Sequence, residues 1–322
     1  MDDKKQPILH FVIPCYNEEE ILNQFIKKEN TELFDLYNKL IIDKVVSKDS
    51  RIIIVNDGSK DDSWNLLKKL KEAHPYITCL KLSRNRGHQN ALIAGLMYSY
   101  EQKADITISM DIDLQDDVGV IPDMIKEYID GSEIVYGVRN KRTTDTFFKR
   151  FTAEGYYKVL NALGVEIIFN HADYRLMSYK ALDALNKYNE KNLFLRGIIP
   201  QLGFKTSKIF YERKERIAGE SKYPLKKMLA LAFEGITSFS VKPIRMILGS
   251  GIIICLLSFV MLLYSVIQYF NNNTVAGWSS LMASIWMLGG IQIVFIGVIG
   301  EYIGKTYLET KNRPSYLIEE IY

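Results

Sequence analysis

Two long apolar runs near the C-terminal end of the chain constrain its fold more than any other feature. The first extends from Ile247 to about Phe270 and the second from about Trp278 to Ile303. As a helix, each run is long enough to cross roughly 30 Å of hydrocarbon. A buried hairpin in a large soluble core is the alternative, but two adjacent runs of this kind are rare in soluble domains. We therefore predict two transmembrane helices over residues 247–304.

The charges around these runs predict their orientation. Between them, Asn271–Thr274 is polar but uncharged, and Glu301 is the only charged residue between Arg245 and Lys305. Basic residues cluster on both flanks: Lys222, Lys226, Lys227, Lys242 and Arg245 before the runs, and Lys305, Lys311 and Arg313 after them. By the positive-inside rule, both chain ends face the cytoplasm. We expect a multi-pass protein of the cell (inner) membrane whose catalytic domain is cytoplasmic.

Composition excludes several other classes of protein. The three cysteines, Cys15, Cys79 and Cys255, have no paired spacing, which argues against a disulfide framework and a structural zinc site. A net charge of +3 gives no strong field for nucleic acid, so we expect no nucleic-acid partner. The apolar run at the start of the chain is too short for a secretory signal.

The chain divides into four parts by composition. Residues 1–221 alternate apolar strand-like runs with helical patterns, residues 222–246 mix basic and apolar side chains, residues 247–304 hold the two apolar runs, and residues 305–322 form a cytoplasmic tail. An amphipathic juxtamembrane helix on the bilayer surface and a plain connecting helix fit residues 222–246 equally well. Pro224 suits the start of a helix there, and Pro243 suits a break.

The first part predicts an α/β domain with a mainly parallel sheet. Apolar strand-like runs recur with helical patterns between them: His10–Ile13, Arg51–Val55, Thr78–Leu82, Ile106–Met110 and Glu133–Gly137. In such sheets, ligands bind beyond the carboxyl ends of the strands. Polar clusters follow these strands, so we predict a binding site at that edge.

Asp111 and Asp113 form the most informative local motif. They follow a buried strand two residues apart, where two carboxylates can share a hard divalent cation such as Mg²⁺ or Mn²⁺. Spacing alone fits a solvated turn at least as well. The apolar strand before the motif and the second acidic turn at Asp57 favour a metal-assisted site.

Several motifs in order resemble those of family 2 glycosyltransferases. They are Ile13–Glu19, Val55–Asp61, Leu82–Gln89, Asp111–Gln115, Val138–Arg139, Asp173–Met177, Leu195–Gly197 and Gly219–Tyr223. More narrowly, they resemble the polyprenyl-phosphate branch, which includes dolichol-phosphate mannose synthases and bacterial bactoprenol glucosyltransferases. With the two apolar runs, the resemblance covers nearly the whole chain. It implies a GT-A type nucleotide-sugar-binding domain.

The resemblance also implies roles for individual residues. Asp57 would hold the nucleotide base, helped by Pro14, Tyr16, Glu18 and Arg84. Asp111 and Asp113 would lie at the ribose and at the diphosphate-bound Mg²⁺ or Mn²⁺, and Gln115 would complete the metal site. Three cations would bind the phosphate of the lipid: Arg139, Arg175 and Lys222. Asp173 would lie near the reacting centre. The catalytic residues would be Asp113, Asp173, Arg139 and Arg175.

The implied activity is inverting transfer of a hexose from a nucleotide diphosphate sugar to undecaprenyl or another polyprenyl phosphate. Glucose from UDP-glucose is the donor that the bactoprenol relatives favour, and a homo-oligomer such as a tetramer is the assembly that they suggest. The acceptor phosphate is already ionised at neutral pH, so no strong base is needed to deprotonate it. The site needs cations that steer and align the phosphate. No nucleophile stands out, which favours one direct displacement.

Four positions depart from the family pattern, and other functions stay open. Asn56 stands where an Asp is common, Ile112 where Ala is common, Asp116–Asp117 where prolines are common, and Arg86 where an aromatic residue is common. UDP-N-acetylglucosamine or UDP-galactose are alternative donors. A processive polysaccharide synthase and a non-catalytic membrane partner are alternative functions. Leu193–Gly197 lacks the Trp that is typical of processive synthases, which argues against the first of these. His88 and His171 have no partner at metal spacing, so we expect satisfied polar or loop histidines.

Overall fold

The computed structural model describes residues 6–27, 32–113, 115–140, 171–188, 190, 194–212, 242–270 and 277–322. The described residues fall into two compact units. One unit holds residues up to 212 together with 313–322, and the other holds residues 242–312. Lys222 and the predicted juxtamembrane segment before Lys242 lie outside the described residues.

The first unit is built on an eight-stranded sheet with the order β7-β5-β6-β4-β1-β2-β3-β8. The strands are β1 Leu9–Cys15, β2 Arg51–Asn56, β3 Ile77–Leu82, β4 Ile106–Ser109, β5 Ile134–Arg139, β6 His171–Ser178, β7 Thr206–Tyr211 and β8 Ile318–Ile321. The pairs β1–β2, β1–β4, β2–β3 and β5–β7 are parallel, whereas β6 is antiparallel to β4 and β5, and β8 is antiparallel to β3. The prediction of a mainly parallel α/β sheet is confirmed.

Helices follow most of the strands. They are α1 Glu19–Ile26, α2 Glu32–Ile42, α3 Ser63–Ala73, α4 His88–Glu101, α5 Ile121–Ile129, α6 Tyr179–Asn186 and α7 Leu195–Gln201. The central strand β1 is buried along its whole length, as expected for a parallel strand covered on both faces. Phe11, Ile54 and Ile108 lie in the main core cluster together with Leu22 and Leu67 of the helices. The carboxyl ends of β1, β2, β3 and β4 therefore meet at one edge of a rigid sheet.

Three strands were not predicted from the sequence. β6 carries Asp173 and Arg175 in its centre, so it lacks an apolar run. β7 alternates exposed and partly buried residues at one edge of the sheet. β8 is only four residues long and contains two glutamates, and it lies in the segment that we predicted to be a tail. Antiparallel and edge strands need fewer apolar residues than central parallel ones, which explains why their pattern is weak.

The second unit contains the two apolar runs as helices. Helix α8 is Lys242–Phe270 and helix α9 is Trp278–Thr310. Pro243 lies in the first turn of α8, where a missing N–H costs nothing, so α8 begins before the predicted boundary at residue 247. Within the described residues, Met287–Thr310 is the one segment long and apolar enough to cross a membrane. Two crossings therefore stay a prediction.

Candidate active site

A cleft of about 340 Å³ lies at the carboxyl ends of β1, β2 and β4. It is lined by the predicted residues Pro14, Tyr16, Glu18, Asp57, Asp111 and Asp113, and also by Asn85, Gly87 and His88. These residues come from four separate loops, and the parallel strands bring them together because their carboxyl ends share one edge.

Asp57 organises the loop that follows β3. Its two carboxylate oxygens accept hydrogen bonds from the backbone N–H groups of Arg86 at 2.7 Å and Gly87 at 2.8 Å. Burial raises the pKa of Asp57, and these two backbone donors oppose the shift. The predicted nucleotide-binding residue therefore also fixes the β3–α4 loop at the wall of the cleft.

The loops after β1 and β2 are joined by side-chain hydrogen bonds. The backbone N–H of Asn17 donates to Ser59 Oγ at 3.0 Å, and the N–H of Lys60 donates to Asn17 Oδ1 at 2.9 Å. Asn56 Oδ1 accepts from the N–H of Ser59 at 2.9 Å. A neutral amide thus closes the turn after β2, so the departure from Asp at position 56 leaves this turn intact. The N–H of Glu18 donates to Ser63 Oγ at 3.1 Å and holds Glu18 beside the cleft.

Asp111 and Asp113 form an acidic floor. The Asp111 side chain keeps 37% of its surface exposed where it lines the cleft. Burial of the carboxylate, with added repulsion from Asp116, Asp173 and Asp113, raises the pKa of Asp111 to about 6, although His88 opposes the shift. Such crowding of negative charge favours binding of a cation.

The donor set at this floor fits Mg²⁺ or Mn²⁺. Carboxylate oxygens are the hard ligands that these ions prefer, and such ions take one or two carboxylates and fill their other positions with water and phosphate oxygens. The described residues contain no group of three or more His, Cys, Asp or Glu side chains arranged to hold a metal. Asp111 and Asp113 therefore suit an ion that arrives with a diphosphate.

Asp173 is the centre of a charged cluster beside Asp111. Ser109 Oγ donates to the carbonyl oxygen of Asp173 at 2.5 Å, which places the start of β6 against the end of β4. The Asp173 carboxylate pairs with Arg196 Nη2 at 3.1 Å, Arg175 Nη2 at 2.5 Å and His88 Nε2 at 3.5 Å. Burial opposes ionisation of Asp173, but these cations, led by Arg196, hold its pKa well below the usual range.

His88 and Arg196 were not among the predicted site residues. His88 is the first residue of α4, and its Nε2 lies 3.8 Å from Asp111 Oδ1. Burial lowers its pKa, but Asp173 and Asp111 outweigh burial, so the net shift is upward. No local pattern indicated that His88 reaches this site, because Asp111 and Asp173 follow or lie in other strands. Its contacts with both carboxylates make His88 a satisfied polar histidine, one of the two kinds expected, and it lines the cleft.

Arg139 and Arg175, which were predicted to bind phosphate, each form an ion pair with a carboxylate of the same domain. Arg175 is fully buried on β6, and its Nε and Nη1 have no hydrogen-bond partner in the described part of the chain. Arg139 ends β5, and its Nη2 donates to the buried Asp116 at 3.1 Å, while its Nε donates to Tyr211 Oη at 3.2 Å. Tyr211 Oη also donates to Asp116. Asp116 is therefore buried as the partner of Arg139.

The other predicted residues lie around the cleft. Gln115 is buried, and its N–H donates to Asp113 Oδ1 at 3.3 Å, so it lies beside the acidic floor without lining the cleft. Arg84 is exposed in the β3–α4 loop and does not line the cleft either. Lys222 lies outside the described residues.

The model of glycosyl transferase family 2 matches residues 10–185, which include β1 to β6 and the acidic floor. The chain belongs to glycosyltransferase family 2. The model of the GtrB C-terminal hairpin matches residues 242–306, which cover α8 and most of α9. This family 2 enzyme thus combines a glycosyltransferase domain of the GT-A type with a C-terminal helical hairpin.

The similarity to curated proteins extends over both parts of the chain. The chain is 50% identical to the uncharacterized glycosyltransferase YkoT of Bacillus subtilis, over 98% of this chain and 92% of that protein. It is 38% identical to the prophage bactoprenol glucosyl transferase homolog of Escherichia coli, over 97% of this chain and 99% of that protein. It is also 38% identical to the SfII prophage-derived bactoprenol glucosyl transferase of Shigella flexneri, over 97% of each chain.

Proposed function

We propose that this family 2 glycosyltransferase transfers a hexose, most simply glucose from UDP-glucose, to undecaprenyl or another polyprenyl phosphate. The observation that carries the proposal is the convergence of Asp57, Asp111 and Asp113 on one cleft in a chain that continues into the apolar helices α8 and α9. The bactoprenol glucosyl transferases at 38% identity over nearly the full length support both the sugar and the lipid acceptor.

In this proposal, the acidic floor binds the donor diphosphate through a divalent cation. Asp111 and Asp113 would hold Mg²⁺ or Mn²⁺, which neutralises the charge of the leaving diphosphate. Asp57 and the loop that it fixes would receive the nucleotide. The raised pKa of Asp111 means that protons compete with the cation as the pH falls below about 6.

The acceptor needs alignment rather than deprotonation. A phosphate monoester is ionised at neutral pH, and it attacks the anomeric carbon in a single displacement that inverts the configuration. Asp173 is a poor general base in this environment, because its pKa is held well below the usual range. Its proposed role is to fix the half-exposed side chains of His88 and Arg196 beside the cleft.

The position of β8 supports an even number of membrane crossings. The described residues up to 212 and residues 313–322 belong to the same compact unit, and β8 pairs with β3 in its sheet. A single crossing would separate β8 from the strand that it pairs with by a membrane. We propose that α8 and α9 each cross the bilayer and that the catalytic unit faces the cytoplasm, where nucleotide sugars are made.

The test is transfer of label from donor to lipid. The full chain, purified in detergent, is incubated with undecaprenyl phosphate, Mg²⁺ or Mn²⁺, and radiolabelled UDP-glucose, UDP-N-acetylglucosamine, UDP-galactose or GDP-mannose. We expect label from UDP-glucose in the organic phase and loss of this label with EDTA. Asp113→Asn is expected to reduce transfer by about a hundredfold or more, whereas Asp123→Asn, on the exposed face of α5, is expected to leave it unchanged.

Two outcomes would contradict separate parts of the proposal. Label from another donor, with the same dependence on Asp113, would replace glucose as the sugar. No label from any donor, from folded protein that binds UDP, would exclude the polyprenyl phosphate acceptor.

A further inference from the structure

The C-terminal strand β8 lies directly beside the loop that Asp57 fixes. Cys79 of β3 and Tyr322 exchange two backbone hydrogen bonds, each 2.9 Å long, and the N–H of Ser83 donates to the carbonyl oxygen of Leu317 at 3.0 Å. Ser83 is the first residue after β3. The pairing with the C-terminal segment therefore extends to the residue where the β3–α4 loop begins.

The β3–α4 loop forms one wall of the cleft. Residues 83–87 supply the two backbone donors to Asp57, and Asn85 and Gly87 line the cleft. The register between β3 and β8 shifts at Lys81 and Leu82, immediately before this loop. The extra residue at this shift is Glu319 of β8, so β8 bends while β3 stays regular, and the pairing continues beyond the shift to Ser83 and Leu317.

Charge and backbone contacts, rather than burial, hold β8 in place. Leu317 and Ile321 are 51% and 54% exposed. Glu319 pairs with Lys81 at 3.1 Å, Glu320 pairs with Lys68 at 3.4 Å, and Lys68 also lies 5.6 Å from the ring of Tyr322. Because β8 buries little apolar surface, its removal should have a small effect on the rest of the core.

From these contacts we infer that β8 is a positioning element for the nucleotide-binding wall. Without β8 and its two flanking residues, Leu317 and Tyr322, β3 becomes an unpaired edge, and the N–H groups of Cys79 and Ser83 lose their partners. The loop from Ser83 to Gly87 then loses its anchor at Ser83, whereas the hydrogen bonds of Asp57 to Arg86 and Gly87 remain. Nucleotide affinity therefore depends on residues that follow the membrane hairpin, with residues 311–317 between α9 and β8.

The inference rests on the proposed nucleotide site, so its test uses two readouts that need no lipid acceptor. The full chain is compared with a chain that lacks residues 317–322, which removes the partners of both Cys79 and Ser83. One readout is amide hydrogen exchange in residues 83–87 without ligand, and the other is the dissociation constant of UDP with Mg²⁺. We expect faster exchange in 83–87, unchanged exchange in β1 and β2, and about tenfold weaker UDP binding.

A charge-reversal series covers the case in which the shortened chain does not fold. Glu319→Lys with Glu320→Lys opposes both ion pairs of β8, and Lys68→Glu with Lys81→Glu in the same chain restores them. We expect faster loop exchange and weaker UDP binding in the first variant and recovery of both in the second. Lys180→Glu, which reverses the ion pair with Glu133 beside β5, is the control and is expected to change neither.

The outcomes separate this inference from the proposed function. Unchanged exchange in 83–87 after loss of β8 or after charge reversal, or a failure of the restoring variant to recover it, overturns the positioning role. If the full chain does not bind UDP, the proposed function is contradicted, while hydrogen exchange still decides the role of β8.

Discussion

Gly58, in the turn after β2, occupies a position where a side chain has no space. Its φ is +64°, and a Cβ atom there would lie 2.5 Å from Arg84 C and from Asn85 N, both of which are backbone atoms. The turn after β2 therefore packs directly against the β3–α4 loop. Glycine is required for two reasons, the backbone conformation and the close approach.

We predict that Gly58→Ala lowers the free energy of unfolding by about 1–3 kcal/mol and weakens UDP binding, because both loops must move. Gly203→Ala is the matched control. Gly203 also has a positive φ, +71°, but only the carbonyl oxygen of Gln201, at 4.0 Å, is near its Cβ position. Chemical denaturation and UDP titration would measure both variants. Equal loss of UDP affinity in the two would contradict the close-approach argument.

His10 is a second residue whose environment makes a measurable prediction. It lies in β1 with 3% of its surface exposed, and its Nδ1 has no hydrogen-bond partner in the described part of the chain. Burial, with a smaller effect from Arg51, lowers the pKa of His10 to about 4. The ordinary pKa in an unfolded chain is about 6.5.

Between these two pKa values the unfolded chain binds a proton that the folded chain does not. The free energy of unfolding should therefore fall as the pH decreases from about 6.5 to about 4, by roughly 3 kcal/mol from this group. We predict that His10→Leu reduces this loss. Urea denaturation at pH 7, 5.5 and 4.5 would measure it, and parallel pH profiles for the two proteins would show that His10 does not titrate as described.

At the scale of elements, the β3–α4 loop connects strand β3 to the wall of the cleft. Both carboxylate oxygens of Asp57 accept hydrogen bonds from the backbone of this loop. An amide in its place offers one oxygen and presents an N–H₂ group to the second backbone donor. The loop would then lose a charge-assisted hydrogen bond and gain a repulsive contact.

We predict that Asp57→Asn weakens UDP binding by at least about tenfold, because the loop loses a hydrogen bond to a charged acceptor. The variant should also speed amide exchange at Arg86 and Gly87. Asp123→Asn serves as the control for loss of a carboxylate away from the cleft. If Asp57→Asn binds UDP as the parent does, Asp57 is only a scaffold of the unliganded loop.

At the scale of the whole molecule, the two units share one chain path that leaves the sheet and returns to it. The path runs through α8 and α9, whose apolar side chains are widely exposed, among them Leu256, Phe259, Ile293, Val294 and Ile296. Apolar surface of this extent marks a membrane or a protein partner. With β8 in the sheet, an even number of crossings is the arrangement that keeps both ends of the hairpin on one side.

We predict opposite labelling of two introduced cysteines in intact cells. Asn273→Cys lies between the two apolar runs and should react with a membrane-impermeant maleimide from outside. Ser315→Cys lies between α9 and β8 and should react only after permeabilisation. The parent chain is the control for background labelling of its own three cysteines, of which Cys15 and Cys79 are buried. Labelling of both positions from the same side would contradict two crossings.

The features that depend on local pattern could be predicted from the amino-acid sequence. Continuous apolar runs predicted four central parallel strands and both long helices, because burial on two faces or in hydrocarbon requires them at every position. The residues after β1, β2 and β4 could be assigned to one site, since parallel strands end at the same edge. The resemblance to family 2 glycosyltransferases, which the family model confirms, rested on these same loops.

Which charged side chains meet depends on how the strands assemble into the sheet. His88 and Arg196 come together at Asp173 because β6 runs antiparallel beside β4, a pairing that no local pattern of β6 indicates. Arg139 meets Asp116, and Arg175 is buried, for the same reason. The tail became β8 because β3 offers it an unpaired edge and Lys81, and α3 offers Lys68. These contacts join residues distant in the chain, so their energy depends on the assembled sheet and leaves no periodic trace in the sequence.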